Sequence, residues 1–357
     1  MKQKLPRTVV ILGVVEGVAD AAASLLKLWA GRFSDFGHGR RKRLTVAGYV
    51  LSNLARPLIG LVSSWGALLL LRSIDRVGMG IRNAPRDALL ADATLPSMRG
   101  RAYGLQRALE NSGVMCGSLL AIVALSWLSQ SVRQVILWSA LPGVLVLLLL
   151  NFGVHEPPCR EAGRNPRAPL RWPALSSVTR RYLKVLVLFT FARASESFIL
   201  LRGNELGMSI VQILLLWATL NITNSATSSY GGRMADAFSL GRLTMVSWLG
   251  YGLSFTAFSQ VGHIATLWIS VVVYGLVAGL GEGSERALIS VYADERERGT
   301  AFGWYYLAVG LSAIPAGVLF GTLWHNWSAS VAFLFAACLA LACVALLRLC
   351  GFAGDSA

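Results

Sequence analysis

The chain has 357 residues, of which 55% are hydrophobic and 14% are charged. Because ordinary globular domains carry about 25% charged residues, this composition excludes a typical soluble protein. The net charge of +15 does not indicate nucleic-acid binding, since the basic residues lie mostly in short loops between apolar segments, as they do in membrane proteins.

The apolar segments predict an all-α polytopic membrane protein, because about 20 apolar residues in a helix span a bilayer. Eleven such helices can be drawn, at residues 8–30, 44–63, 66–92, 101–128, 133–154, 182–203, 209–231, 243–261, 264–291, 300–324 and 328–349. The loops alternate between basic and nearly neutral, and the basic ones are 31–43, 93–100, 155–181, 232–242 and 292–299. The positive-inside rule therefore predicts that these loops and the C-terminus are cytoplasmic.

The first basic loop, GRFSDFGHGRRKRL at 31–44, concentrates both glycine and charge. Gly31 and Gly39 permit tight turns. Asp35 can accept backbone N–H bonds at the positive N-terminal end of a neighbouring helix. The basic side chains that can pair with carboxylates or lipid headgroups are Arg40, Arg41 and Lys42. The alternative is that the loop only fixes the membrane topology.

A polar stripe runs along the predicted helix at 66–92, where polar side chains recur at three- and four-residue spacing. Charged groups at membrane depth are costly, so each is a functional candidate. The charged members of the stripe are Arg72, Asp75, Arg76, Arg82 and Arg86. Their net positive charge could attract an anionic solute, or they could pair internally and only hold helices together.

Further charged residues fall within the predicted helices as close neighbours. Glu16 and Asp20 lie one turn apart, an arrangement that raises at least one pKa and suits a proton carrier, although both could instead pair with arginines. Two pairs of opposite charge lie three residues apart, namely Arg107 with Glu110 and Arg193 with Glu196. Each pair could stabilise the structure or contact the solute. Candidate gate contacts near the end of the helix at 264–291 are Glu282, Glu285 and Arg286.

An internal repeat divides the chain into two similar halves. Gly232, Arg233 and Asp236 repeat the pattern of the first loop 201 residues later, and SERALISVYADERERGTAFG repeats PRDALLADATLPSMRGRAYG at an interval of 199. Two such matches predict parallel repeats. The predicted parts are an N-terminal bundle at 1–154, a cytoplasmic linker at 155–181 and a C-terminal bundle at 182–357. The repeat partner of the helix at 182–203 would precede the first residue, so we expect relatives to have twelve helices, of which this sequence lacks the first.

The first loop combines Gly-x-x-x-Asp with Gly-Arg-Arg-Lys, lies between the second and third helices of its half when the missing helix is counted, and has an echo in the second half. In these features the chain resembles the major facilitator superfamily of secondary transporters. The stretch DRVGMGIRNAPRDALLAD resembles a bacterial permease subgroup. In this chain the motif consists of Gly31, Asp35, Gly39, Arg40, Arg41 and Lys42, with a weaker copy at Gly232, Arg233 and Asp236. Phe36 replaces the usual basic residue. The resemblance implies two helical bundles, a central cavity lined by the helix at 66–92, and a motif loop that latches the bundles together.

These observations predict secondary active transport of a small solute by alternating access, driven by the proton gradient through Glu16, Asp20 or Glu110. We expect a monomer in the cell (inner) membrane. The sequence has no nucleotide-binding or hydrolase motif and no metal-ligand spacing, so neither a cofactor nor an enzyme activity is predicted. The alternatives are a transport-inactive truncated relative and an intramembrane enzyme that uses a buried carboxylate.

Overall fold

The structure is a computed structural model that describes residues 23–35, 40–126, 131–154, 172, 175–193, 196–237, 239–293 and 297–352. All regular elements in these ranges are helical. They are α1 (residues 23–34), α2 (Arg40–Ile59), α3 (Trp65–Asp92), a 3₁₀ turn (Pro96–Met98), α4 (Arg99–Ser126), α5 (Val132–Trp138), α6 (Ala140–Leu148), a π turn (Leu149–Gly153), α7 (Ser177–Ala192), α8 (Glu196–Glu205), α9 (Ile210–Ala237), α10 (Leu240–Ser259), α11 (Ile264–Tyr292), α12 (Arg298–Asn326) and α13 (Ala329–Leu349).

Two of the predicted spans are not single regular α-helices. The helices α5 and α6 and the π turn run almost head to tail through the predicted span at 133–154, and α7 and α8 divide the predicted span at 182–203. When each of these spans is counted once, the described residues form eleven helical segments. The all-α fold class and the approximate number of helices are therefore confirmed.

Local sequence signals explain several helix ends. Ser328 precedes α13 and its side chain accepts a hydrogen bond from the backbone N–H of Val331 at 3.2 Å, which satisfies one of the unpaired donors of a first turn. At the start of α5, Gln134 and Ser131 form a reciprocal capping box.

Four helical segments among the described residues are long and apolar enough to cross a membrane by length and composition. They are Arg133–Gly153, Ile264–Tyr292, Arg298–Asn326 and Ala329–Leu349. The helix α3 is as long as these but carries the charged stripe. Large apolar side chains lie on the outer surface, including Leu141 at 74% exposure and Phe152 at 71%, as expected for residues that face lipid.

By its internal contacts the chain forms two compact units. The first comprises residues 1–93, 121–174 and 295–311. Within it, α2 packs along α3 and also contacts α5 and α6. Gly48 of α2 lies against the backbone of Gly78 in α3, where an added Cβ atom would come within 2.6 Å of the Gly78 carbonyl oxygen. Small residues therefore permit this close packing.

The second unit comprises residues 94–120, 175–294 and 312–357. Its main packing pairs are α9 with α11, α10 with α11 and α13, and α7 with α13. A buried aromatic core joins these helices: Phe189 stacks on Trp248 at 3.9 Å between ring centroids, and Phe258 stacks on Phe333 at 5.3 Å.

The two units differ from the two halves of the sequence repeat. Most of α4, from the first half, belongs to the second unit, and the first turns of α12, from the second half, belong to the first unit. Each half thus contributes one helical segment that packs with helices of the other half. The division into bundles at 1–154 and 182–357 stays a prediction.

Candidate functional site

The carboxylate of Asp35 caps the start of α12. Its Oδ1 atom accepts the backbone N–H of Gly299 at 3.0 Å, and its Oδ2 atom accepts the backbone N–H and the hydroxyl group of Thr300, both at 2.7 Å. The first N–H groups of a helix have no partner within the helix and carry partial positive charge. Asp35, whose side chain is only 3% exposed, thus binds α12 through both charge and hydrogen bonds.

An ion-pair network extends from this capping contact. Arg41 donates to Asp35 at 2.9 Å and also pairs with Asp92, and Asp92 in turn pairs with Arg298 at the start of α12. The four side chains carry two positive and two negative formal charges. Because removal of one partner of a buried pair leaves an uncompensated charge, these pairs help to hold α2, α3 and the start of α12 together.

Glycine allows the backbones to meet at this contact. A Cβ atom added to Gly31 would lie 2.9 Å from the Gly299 carbonyl carbon and 3.2 Å from the Gly303 Cα atom. Both separations are too short for a larger residue without movement of the backbone. Gly31 lies inside α1 and not in the tight turn that the sequence predicts. Its role in the structure is close contact with α12.

The second copy of the motif makes the corresponding contact. Asp236, in the last turn of α9, accepts the backbone N–H of Arg101 at 3.2 Å and pairs with the side-chain Nε of the same residue at 3.1 Å. Arg101 lies in the first turn of α4. In the sequence repeat, Gly100 at the start of α4 corresponds to Gly299 at the start of α12. The two motif aspartates therefore cap equivalent helices: Asp35 caps α12 and Asp236 caps α4.

The pKa values of both motif aspartates respond to their surroundings. Burial raises the pKa of Asp35 above its ordinary value, whereas Arg41 and Thr300 act in the opposite direction. Burial also raises the pKa of Asp236, and the N–H groups of Arg101 and Gly100 oppose this shift. At both carboxyl groups the loss of solvent outweighs the hydrogen-bond donors.

A polar seam continues along α4 and α9 beyond the glycines. Asn111 donates its side-chain amide to Asn224 at 2.9 Å, and the hydroxyl groups of Ser112 and Ser225 lie 2.9 Å apart. Asn111 and Asn224 are only 5% and 4% exposed. Hydrogen bonds between such residues are a common means of joining helices in a membrane.

The charged stripe on α3 is distributed among several partners. Arg56 of α2 donates to Asp75 at 3.0 Å, and the guanidinium group of Arg82 lies over the ring of Tyr49 at 4.2 Å. Part of the stripe therefore faces α2. Arg72 is exposed and Arg76 is half-buried.

A buried carboxylate near the end of α3 was not among the predicted site residues. Asp87 is fully buried, accepts a hydrogen bond from the hydroxyl group of Tyr306 at 2.5 Å, and pairs with Arg86 at 3.1 Å. Its position in the conspicuous PRDALLAD sequence was the available signal. Tyr306 lies 219 residues away, so no local pattern could identify it.

The remaining predicted residues have different surroundings. Arg107 donates to Glu110 at 3.3 Å, whereas Arg193 donates to Glu285, 92 residues away. Glu196 begins α8, and Arg233 is exposed. In the first loop, Lys42 donates to the Asn151 carbonyl oxygen at 2.8 Å and Arg40 lies over the Phe33 ring at 5.1 Å. Three predicted residues lie outside the described part of the chain: Glu16, Asp20 and Gly39.

The described residues contain no group of three His, Cys, Asp or Glu side chains that could hold a metal ion. The chemistry of the site thus consists of ion pairs, helix capping and close glycine contacts between helices. Together with the apolar helices, these features define a multi-pass membrane protein whose helices are joined by charged contacts at their ends. The profile of the Major Facilitator Superfamily matches residues 8–218 and residues 185–353, and the chain belongs to this superfamily.

Individual relatives and solved structures agree with this assignment. An uncharacterized MFS-type transporter of Methanocaldococcus jannaschii is 29% identical over 336 residues, which cover 92% of this chain and 83% of the relative. The human organic anion transporter MFSD10 aligns with a TM-score of 0.78 at 17% identity, covering 93% of this chain and 83% of that one. The proton:xylose symporter XylE aligns with a TM-score of 0.78 at 14% identity, covering 97% and 87%.

At these identities the solved structures establish the fold alone. The superfamily consists of membrane transporters, so the functional class of this chain is solute transport and not enzymatic catalysis. The alternative of an intramembrane enzyme is therefore wrong.

Proposed function

We propose that the protein is a proton-coupled secondary transporter of a small solute that works by alternating access in the cell (inner) membrane. The observation that carries this proposal is the reciprocal capping of α12 by Asp35 and of α4 by Asp236. Each contact joins residues from both halves of the repeat, at predicted cytoplasmic loops. A conformational cycle must break and remake such contacts if the two halves rock against each other.

The energetics of the capping contacts suit this role. Charge-assisted hydrogen bonds each contribute about 1.5–3 kcal/mol, and a coupling of 1–3 kcal/mol shifts a two-state equilibrium by roughly 5- to 150-fold. Asp35 and Thr300 therefore form a latch strong enough to favour one state and weak enough to open. A purely topological role for the loop would not require the buried hydrogen bonds of Asp35.

Proton coupling is supported by two kinds of observation. The chain places carboxylates within predicted membrane-spanning helices, among them Glu16, Asp20 and Glu110. One protein of the same fold, XylE, is a proton:xylose symporter. A carboxylate at membrane depth can bind a proton when its ionised form is poorly solvated.

Uptake into membrane vesicles tests the proposed function. A pH gradient is imposed across the membrane of vesicles from cells that produce the protein. The vesicles are then incubated with a panel of radiolabelled sugars, organic acids and amines. We expect accumulation of at least one solute, and we expect a protonophore to abolish it. Uptake that ignores the protonophore contradicts proton coupling, and no uptake of any solute favours the transport-inactive alternative.

The latch is tested with Asp35→Asn in the same vesicles. The variant removes the negative charge while it keeps the size of the side chain, so we expect a changed transport rate with unchanged protein abundance. Arg233→Gln is the matched control because Arg233 belongs to the second copy of the motif, in α9, but is exposed. Equal transport by the wild type and Asp35→Asn would leave the loop with only a topological role.

A further inference from the structure

One arginine in a predicted membrane-spanning helix has no ion pair within the described residues. Arg82 belongs to α3, and its guanidinium group lies over the ring of Tyr49 in α2 at 4.2 Å. In the described part of the chain Arg82 forms no hydrogen bond, and its Nε atom is buried without an acceptor. Arginine keeps its charge in proteins. Because a charge at membrane depth is costly, Arg82 is a functional candidate.

The carboxylates on the same helix are paired with other arginines. Asp75 lies about two turns before Arg82, and its Oδ1 atom accepts the Nε–H group of Arg56 in α2 at 3.0 Å. After Arg82, Arg86 pairs with Asp87 at 3.1 Å. These five side chains carry three positive and two negative formal charges. The charge of Arg82 is therefore the one that no carboxylate of this group pairs with.

The packing of the helices does not require a charge at this position. A Cβ atom added to Gly48 of α2 would lie 2.7 Å from the Cβ atom of Arg82. The repeat interval of 199 residues places Ser247 of α10 at the position of Gly48, and Gly281 of α11 at that of Arg82. There, a Cβ atom added to Gly281 would lie 2.6 Å from the Cβ atom of Ser247. The second unit thus makes an equally close contact without an arginine.

The position of Arg82 along α3 keeps it away from lipid headgroups. Arg82 lies ten residues before the helix end at Asp92, next to the basic loop, which corresponds to about 15 Å of helix. Long side chains of a helix lean toward its N-terminal end, and in α3 this direction leads away from that loop. Arg82 is partly exposed, and charges in membrane helices face polar or water-filled spaces. Its guanidinium group can therefore meet a solute more easily than a lipid phosphate.

We propose that Arg82 binds the anionic group of the transported solute, an inference that rests on the proposed function and names the substrate class as a small organic anion. The oxygen atoms of a carboxylate, sulfonate or phosphonate group match the fork of N–H donors on a guanidinium group. A monoanion also balances the net positive charge of this part of the first unit. A neutral solute of the same shape gains much less in such a poorly solvated place.

Tyr49 is a positioning residue for this contact. Its ring holds the guanidinium plane of Arg82 through cation–π attraction. The N–H donors of a guanidinium group lie in that plane, so a ring against the flat face leaves the edge of the group for an oxyanion. Tyr49 thereby fixes the direction of the donors without using them.

The neighbouring ion pair provides two variants with opposite expected effects. Asp75→Asn removes a negative charge and leaves Arg56 positive, so an anion should bind more tightly. Arg56→Gln removes the partner of Asp75, whose carboxylate then attracts Arg82 and competes with the anion. If the pair only joined α2 to α3, both variants would lower the stability of the protein and neither would shift the affinity for an anion in a particular direction.

Anion binding to purified protein in nanodiscs of phosphatidylcholine tests the proposal. The probes are benzoate, methanesulfonate and methylphosphonate, and benzamide is the uncharged counterpart of benzoate. We expect at least one anion to raise the unfolding temperature of the wild type, and benzamide to leave it unchanged. Arg82→Gln should lose this response and Arg82→Lys should keep part of it. Arg43→Gln is the matched control, because it removes the same charge from an exposed position of α2 and should respond like the wild type.

Calorimetry with the anion that binds gives the dissociation constants of the variants. We expect Kd to fall by about fivefold or more in Asp75→Asn and to rise by about fivefold or more in Arg56→Gln, as for coupled charges in general. Without any anion, Arg82→Gln should unfold at the same temperature as the wild type or a higher one, because it removes a charge that lacks an opposite charge. If Arg82→Gln does not fold, the comparison of Asp75→Asn with Arg56→Gln decides.

Three results overturn the proposal: no response to any of the three anions, equal responses of the wild type and Arg82→Gln, or shifts of Kd in the same direction for Asp75→Asn and Arg56→Gln. Nanodiscs that contain phosphatidylglycerol distinguish a solute from a lipid headgroup. Loss of the anion response in these nanodiscs would assign the site to the lipid and contradict the proposal. Because none of these measurements needs a gradient, a failure of vesicle uptake would count against the proposed function alone.

Discussion

At the scale of single residues, the two motif aspartates differ in how much they contribute. Asp35 accepts two backbone N–H groups, a hydroxyl group and a guanidinium group. Asp236 shares its charge with Arg101, whose side chain is 55% exposed. Because solvent weakens exposed ion pairs, the first contact should contribute more to the stability of the protein than the second.

The Asp35→Asn variant measures this difference. We expect it to lower the free energy of unfolding in detergent by about 1–3 kcal/mol, since the donors around Asp35 lose a charged acceptor while they stay buried. Asp236→Asn should cost less, and Arg101→Gln about 0–1 kcal/mol. Chemical unfolding followed by tryptophan fluorescence gives all three values. A larger loss for Asp236→Asn would reverse the proposed ranking of the two contacts.

The sequence predicts the capping role of Asp35 but not its partners. The Gly-x-x-x-Asp spacing and the loop charge identify an aspartate that can meet a helix start, and this rests on local physics. The partner Thr300 lies 265 residues away, and the pairing of Asp92 with Arg298 spans 206 residues. Such contacts depend on the packing of whole helices, which periodicity and composition do not encode.

At the scale of helices, glycine decides how closely α4 and α9 approach. A Cβ atom at Gly104 would lie 2.5 Å from the Ser228 carbonyl oxygen and 2.8 Å from the Gly232 Cα atom. Backbone atoms cannot yield locally, so the helices would have to separate. Elsewhere on the same helix, an added Cβ atom at Gly113 meets nothing within 4 Å among the described residues.

The variants Gly104→Ala and Gly113→Ala therefore form a matched pair. We expect Gly104→Ala to lower the free energy of unfolding by about 1–3 kcal/mol through overpacking. Gly113→Ala should be neutral or stabilising by up to about 1 kcal/mol, because alanine favours a helix. Thermal unfolding in the same detergent compares them. Equal stability of the two variants would show that the close contact does not hold α4 against α9.

The polar seam between the same two helices supports a separate prediction. In a double-mutant cycle with Asn111→Ala and Asn224→Ala, we expect a coupling energy of about 0.6 kcal/mol and at most about 1.7 kcal/mol, the mean and the maximum for hydrogen bonds between membrane helices. Unfolding in sodium dodecyl sulfate provides the four free energies. A coupling energy near zero would mean that the two amides do not stabilise each other in the membrane.

At the scale of the whole molecule, the repeat explains why related contacts recur at different places. The contact of Asp35 with α12 and the contact of Asp236 with α4 are made by equivalent segments of the two halves. The sequence predicts this repeat because matching residues recur at nearly the same interval. The chemistry at repeat-equivalent positions nevertheless diverges: Arg86 and Asp87 correspond to Glu285 and Arg286, with the order of charges reversed. Asp87 meets Tyr306, whereas Glu285 meets Arg193 and Trp248. The repeat thus predicts position but not function.

The membrane topology of the chain gives the last prediction. Because the basic loops should stay in the cytoplasm, cysteines at Ser131 and His263 should face the outside and a cysteine at Ser97 the inside. All three positions are exposed, so access depends on the side of the membrane and not on burial. The five native cysteines are first replaced by serine or alanine.

A membrane-impermeant maleimide applied to intact spheroplasts should label Ser131→Cys and His263→Cys, and Ser97→Cys only after the membrane is opened. The labelling of Ser97→Cys after opening controls for protein abundance. The reverse pattern would place the Asp35 and Asp236 contacts on the outer side. The Asp35 and Asp236 contacts lie at the helix ends that adjoin the basic loops. If those loops were outside, these contacts could not form a latch that closes the cytoplasmic entrance.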